Sequence, residues 1–140
     1  MKVLLDNDVF FAAIYAGHQH HEPARTWLDR EKKKGWAIST ETWLAAMRLL
    51  MNPAILGTSK LNGATAWKIV KLECGGQHPV TLVYPNDPPH EKLFSNAIGH
   101  RQVMDFWLVQ LAKQEKLKVV TFDRALKSHW PDDVQLLKTN

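Results

Sequence analysis

Three aspartates in this chain stand where a carboxylate can do chemistry. Asp6 directly follows the apolar run Val3-Leu4-Leu5, and Asp123 closes the run Leu117–Thr121. Asp105 interrupts a helical-period stripe in which Val103, Phe106, Trp107 and Leu111 recur on one side, with Met104, Leu108 and Ala112 beside them. A carboxylate inside an apolar stripe must be paired, solvated in a cleft or bound to a cation, because burying it alone is prohibitively costly. Brought to one place with an acid from the middle of the chain, these groups repel one another unless cations neutralise them. An oxygen-only set of that kind suits Mg²⁺ or Mn²⁺. Such an ion makes a nucleophile of water at neutral pH and stabilises the charge that develops on a phosphodiester.

The elements that must position them follow from the pattern. Residues 2–5 read as a strand running into Asp6-Asn7-Asp8, then a short helix over Val9–Tyr15. A helix from about His21 to Lys34 buries Ala24, Trp27 and Leu28, carries a solvated basic end and stops at Gly35. Trp36–Ser39 is a second strand, and Thr40 is the expected N-cap of a helix to about Met51, closed by Asn52-Pro53. Residues 57–63 form a loop, Ala64–Cys74 a helix ended by Gly75-Gly76, and Val80–Tyr84 a strand. A rigid Pro-rich loop leads to a short helix near Glu91–Ala97 and then to the helix of Asp105. The strand Leu117–Thr121, a helix after Asp123 and a last strand at Val134–Leu137 complete the order. Short β-branched runs alternating with helices predict a three-layer α/β/α sandwich on a mainly parallel sheet of four or five strands. In such a sheet ligands bind at the carboxyl ends of the strands, where Asp6 and Asp123 fall.

The 140 residues, 45% apolar and 23% charged, predict one soluble globular domain spanning 1–140. No run reaches the length of a membrane span, and Asp6 breaks the only apolar N-terminal stretch, so neither an anchor nor a signal peptide is expected. The single Cys74 can form no internal disulfide, which accords with a cytoplasmic location. A net charge of +4 mildly favours a polyanionic partner.

The segments LLDNDVFFAA, GWAISTETWLAAMRLLMNPAI, GHRQVMDFWLVQLA and VVTFDRAL, in that order and spacing, resemble the PIN-domain family and, within it, the VapC-type toxins of bacterial toxin–antitoxin pairs. Gly99–Asp105 and Thr121–Arg124 are the most specific parts of a resemblance that spans essentially the whole chain. It implies a metal-dependent endoribonuclease held inactive by an antitoxin protein, a homodimer, and Asp6, Asp105 and Asp123 as metal-site acids. Thr121 would support the site by hydrogen bonding. Asp8 stands where the family often has a small polar residue. One departure concerns the family's glutamate early in the helix after the second strand, several residues before an arginine matched by Arg48. The nearest positions here are Trp43, Leu44 and Ala45, and Glu41 is the only carboxylate in that window. Glu41 is therefore taken as the second acid.

Other readings compete at each position. Asp6 could simply begin a turn, Asp105 could complement the helix dipole for about 0.3–1 kcal/mol, and Asp123 could cap the following helix while also serving the site. Glu41 could be a first-turn dipole partner. VLLDNDVF also resembles the start of haloacid-dehalogenase phosphatases, with Asp6 as nucleophile, Asp8 as general acid and AIST supplying a hydroxyl. That family's lysine context and late Gly-Asp motif are absent. A third reading is an inactive PIN-like module that binds RNA or a partner. His18 and His20 are expected to be solvent-exposed and His21 to start a helix or pack, while Trp43 and Trp107 belong to core or dimer interface. Large apolar side chains such as Trp43, Trp67 and Phe94 exceed what one small core needs, which favours the dimer. Arg101 and Arg124 lie near proposed acids and could hold a phosphate.

Overall fold

The computed structural model describes residues 2–57 and 61–139. Its strands are β1 (Val3–Leu5), β2 (Trp36–Ser39), β3 (Thr81–Val83), β4 (Lys118–Thr121) and β5 (Val134–Leu136), all parallel in the order β3-β2-β1-β4-β5. The helices are α1 (Asn7–Ile14), α2 (His21–Glu31), α3 (Thr40–Met51), α4 (Pro53–Leu56), α5 (Gly63–Cys74), α6 (Glu91–Phe94), α7 (Gln102–Gln114) and α8 (Arg124–His129).

The pleat divides the buried residues between two faces. Val3, Leu5, Trp36, Ile38 and Val120 join Val9, Phe10, Trp27, Leu28, Ala46 and Val70 from α1, α2, α3 and α5. Leu4, Ala37, Val83, Val119 and Val134 join Trp107, Leu108, Leu111 and Leu126 from α7 and α8. Alternate side chains of a strand point to opposite faces, so one parallel sheet sits between two helical layers, as the alternation of elements predicts.

Register then places the strand ends. Leu5 pairs with Val120 and Leu4 with Ala37, so Asp6 lies abreast of Thr121 on one side and Ser39 on the other. Continuing the alternation puts Ser39, Asp6 and Thr121 on the α7 face and Phe122 on the α1 face. The Asp6 amide donates to the Val120 carbonyl at 2.9 Å and keeps this aspartate in the sheet although it lies past the last strand residue.

Several expectations change. α1 starts at Asn7 rather than Val9, and α6 stops at Phe94. α2 gives way at Lys32 to a 3-10 turn over Lys32–Lys34, where Lys32 binds the Glu73 carboxylate instead of standing free in solvent. Val103 and Met104 are exposed, and the buried positions of α7 begin at Phe106. Ser39, not Thr40, caps α3, since its hydroxyl accepts the Thr42 amide at 3.1 Å. Part of the loop 57–63 lies outside the described residues.

Candidate active site at the carboxyl ends of the central strands

Asp6 is the best-defined side chain of the site. It occupies the end of the central strand, in extended backbone, and its Oδ2 accepts a hydrogen bond from the Thr121 hydroxyl at 2.6 Å. Thr121 is itself fully buried, and its oxygen accepts the Asp123 amide at 3.1 Å. The hydroxyl therefore links the acid of one strand end to the turn at the other. Burial raises the Asp6 pKa to about 6, with the Thr121 hydrogen bond pulling it down and the charges of Asp105 and Asp8 pushing it up.

Asp105 lies in the first turn of α7, held by the start of that helix. The Gln102 side-chain carbonyl accepts the amides of Ile98 and Gly99 at 2.7 and 3.2 Å, which ties the incoming loop to the first helical residue. One position past Asp105, the buried Phe106 packs on His129 and Trp130, with ring centroids 5.3 and 5.5 Å away. That contact docks α7 against the end of α8. The Asp105 pKa is raised by burial and then by the charge of Asp123. Asp123 caps α8, its Oδ1 accepting the amides of Ala125 and Leu126 at 2.8 and 3.3 Å. The expected cap is thus formed, and the same carboxylate lies close enough to Asp105 for its charge to be felt there.

The structure accordingly brings Asp6, Asp105, Thr121 and Asp123 together. A cavity of about 390 Å³ borders Asp105 and Asp123 and is lined also by Arg101, Gln102 and His129. A larger groove of about 580 Å³, lined by Glu22, Trp27, Arg30 and Leu137, includes none of the site aspartates. Arg101 is thus brought to the acids, whereas the exposed Arg124 does not line their cavity. Glu41 is half-buried at the second position of α3, and its Oε2 is enclosed without a hydrogen-bond partner. It is not among the largest influences on the Asp6 or Asp105 carboxylate.

Sequence reasoning missed the polar chain at the end of β2. Thr42 donates to the Asn7 side-chain carbonyl at 2.5 Å and accepts from the Ser39 hydroxyl at 3.1 Å. The signal was available in Ser39, a buried hydroxyl at a strand end abreast of Asp6. The histidines also differ from expectation. His18 and His20 are half-buried and pack on Phe122, not solvated. Burial lowers the His18 pKa, the Asp8 charge opposing and His20 and His21 adding to the effect. His21 begins α2 with its Nδ1 2.7 Å from the Ala12 carbonyl, a helix-start and packing role as expected.

As the side chains stand, among the described residues no three His, Cys, Asp or Glu side chains enclose a position for a metal ion. That geometry rules out a closed zinc-type cage more than an open oxygen site, since Mg²⁺ takes one or two carboxylates and completes its shell with water and phosphate. The electrostatics fit a cation: burial makes Asp6 and Asp105 each resist ionisation, Asp105 adds its charge beside Asp6, and Asp123 adds its charge beside Asp105. The donor set is all oxygen, which suits a hard divalent ion.

Comparison with known proteins gives a concordant set of relatives. A family model described as PIN domain matches residues 3–129. Among curated relatives, Ribonuclease VapC29 of Mycobacterium tuberculosis is 31% identical over 141 residues, covering 98% of this chain and 96% of that protein. Ribonuclease VapC38 of the same organism is 32% identical over 126 residues, with 86% and 84% covered. Ribonuclease VapC39 is 28% identical over 133 residues, with 90% and 91% covered.

Proposed function

The chain belongs to the PIN domain family, and from that premise we propose that it is a Mg²⁺- or Mn²⁺-dependent endoribonuclease, the toxin of a toxin–antitoxin pair. The observation that carries this reading is the linked arrangement of Asp6, Thr121, Asp123 and Asp105 at the carboxyl ends of the two central strands. Relatives named as ribonucleases over nearly their whole length support the same chemistry.

Asp6, Asp105 and Asp123 would hold the ion, and Glu41 is the fourth acid within the proposal. A divalent cation there would make a water nucleophilic at neutral pH and neutralise charge developing on the phosphodiester. The chain's own side chains do the positioning. Thr121 holds the Asp6 carboxylate in one orientation and keeps it from rotating away from the cleft. The cap formed by Asp123 commits only its Oδ1, so Oδ2 has no such bond. Arg101, which lines the cavity beside Asp105 and Asp123, supplies a guanidinium for a phosphate oxygen. Arg124 is left as an exposed contact for more distant RNA backbone.

The partners follow from the same reading: RNA as substrate, an antitoxin as inhibitor and a second copy of the chain, in the cytoplasm. No helix among the described residues is long and apolar enough to cross a membrane. Support for a dimer comes from Leu44, Trp67 and Leu72, all exposed on α3 and α5, with Trp43 6.2 Å from Trp67. Phe94 packs instead against the α7-side core.

The test is cleavage of a mixed-sequence RNA by the purified protein with Mg²⁺ or Mn²⁺, then with EDTA, beside a phosphomonoester control. Cleavage that EDTA abolishes is expected. Metal-independent cleavage, or hydrolysis of the phosphomonoester alone, overturns the reading.

A further inference from the structure

The rings packed around Phe122 have no part in the chemistry above. His20 lies 5.0 Å from Phe122 between ring centroids, His18 lies 6.4 Å away with only 21° between the planes, and the two imidazoles are 5.8 Å apart. Phe11 backs His18 with an edge contact at 6.1 Å. The His20 amide donates to His18 Nδ1 at 3.0 Å, which fixes the first ring and leaves its Nε2 to carry the proton in the neutral form. All three side chains are half-buried, so they are anchored yet not enclosed.

Their place in the chain matters as much as their contacts. Phe122 sits between Thr121 and Asp123, turned by the pleat to the other face of the sheet end. Asp8 connects the two features, because its charge acts on both Asp6 and His18. The ring cluster therefore begins where the acids end. A metal role is not supported, since among the described residues no three such groups converge. Flat π-faces, half open and beside a phosphodiester-cutting centre, match what an unpaired nucleobase requires.

We propose that His18, His20 and Phe122 form a stacking floor for a nucleobase adjacent to the scissile phosphate of single-stranded RNA. This rests on the ribonuclease reading and deepens it. A base held in a duplex cannot present its face to these rings, so the segment cut must be unpaired at that nucleotide. Stacking recognises a π-face rather than base edges, so the floor positions the strand with little preference among the four bases.

The experiment uses short mixed-sequence RNA oligonucleotides in which a single abasic ribose is walked through every position. Binding is read by fluorescence anisotropy with EDTA present in the Asp105→Asn protein, in which cleavage is expected to be slowed, and cleavage is read in the parent. Binding is expected to fall about tenfold when the abasic site reaches one position next to the cut, in keeping with the contribution of one stacked base. His20→Ala and Phe122→Leu should bind intact and abasic oligonucleotides alike, whereas His20→Phe and Phe122→Tyr should keep the difference. Uniform binding to every abasic oligonucleotide, or an undiminished penalty in His20→Ala and Phe122→Leu, overturns the proposal. Positional binding without cleavage by the parent would keep the floor and remove the ribonuclease reading. Cleavage without any positional effect would do the reverse.

Discussion

Two strand ends in this molecule use a buried hydroxyl in different ways. At the end of β4, Thr121 donates to the Asp6 carboxylate, and the acids around it remain mutually repulsive. At the end of β2, Ser39 and Thr42 pass their hydrogen bonds to the Asn7 amide and close a neutral, satisfied chain. The first arrangement stores unfavourable charge that a cation would relieve. The second joins α1 to α3 and stores none. Position at a sheet edge alone therefore does not gather charge; that depends on whether the hydrogen bonds end on a carboxylate.

The sharpest way to break that contrast is to neutralise the acids. Asp6→Asn, Asp105→Asn and Asp123→Asn keep the shape of the side chain and remove its charge. Each should lower RNA cleavage on the order of 10²–10³-fold, the scale seen when one preorganised charge-stabilising group is lost, with circular dichroism unchanged. Parental rates in these variants would refute the assignment.

The two hydroxyls should separate next. Thr121→Val removes the donor to Asp6 and should cost about 10–100-fold in metal affinity or activity, the range for partners that orient a ligand. Its pH profile should shift to the alkaline side, because that hydrogen bond lowers the Asp6 pKa. Thr42→Val should leave metal affinity near parental and instead destabilise the fold by about 1–3 kcal/mol, since the Asn7 carbonyl loses its donor. Metal titration and urea denaturation of both variants give the comparison. Equal losses of metal affinity would erase the distinction between the two strand ends.

Glu41 tests the boundary between them. It follows β2 yet holds an enclosed oxygen without a partner, which is the condition of a group awaiting a cation or a water. It is not among the largest influences on the Asp6 or Asp105 carboxylate. Glu41→Gln should reduce cleavage by about tenfold, less than any of the three aspartate changes. A loss as large as that of Asp6→Asn would place Glu41 among the groups that hold the metal.

Much of this was legible in the sequence because it is local or periodic. The buried runs before Asp6 and after Leu117 and the stripe interrupted by Asp105 gave the strands, the helix and the acids. What was not legible depends on register and on packing between segments distant in sequence. Thr42 meets Asn7 across 35 residues, and Phe122 meets His18 and His20 only after α1 and β4 lie side by side. The N-cap was misplaced by one residue because Ser39 and Thr40 are both good caps, and only the end of β2 decides between them. Val103 and Met104 fit the helical stripe but stay exposed, which periodicity cannot reveal.

A further effect concerns the metal-free protein, and here the charged strand end should oppose folding. The Asp6 pKa rises from 3.8 to about 6 on folding, chiefly through burial. The folded state therefore binds this proton more tightly than the unfolded chain does. The associated stability is fully present below pH 3.8 and is lost as the pH rises through about 6. Two units correspond to about 2–3 kcal/mol, and Asp105, raised in the same direction, adds to the trend. Asp6→Asn cannot ionise at this position. In EDTA the variant should match the parent near pH 4 and exceed it in urea midpoint at pH 7. Added Mg²⁺ should then narrow the gap at pH 7, because an ion bound only by the folded parent stabilises it. A parent–variant difference that stays flat from pH 4 to pH 7 would mean that Asp6 is not held against its own charge, and the contrast between the two strand ends would lose its electrostatic basis.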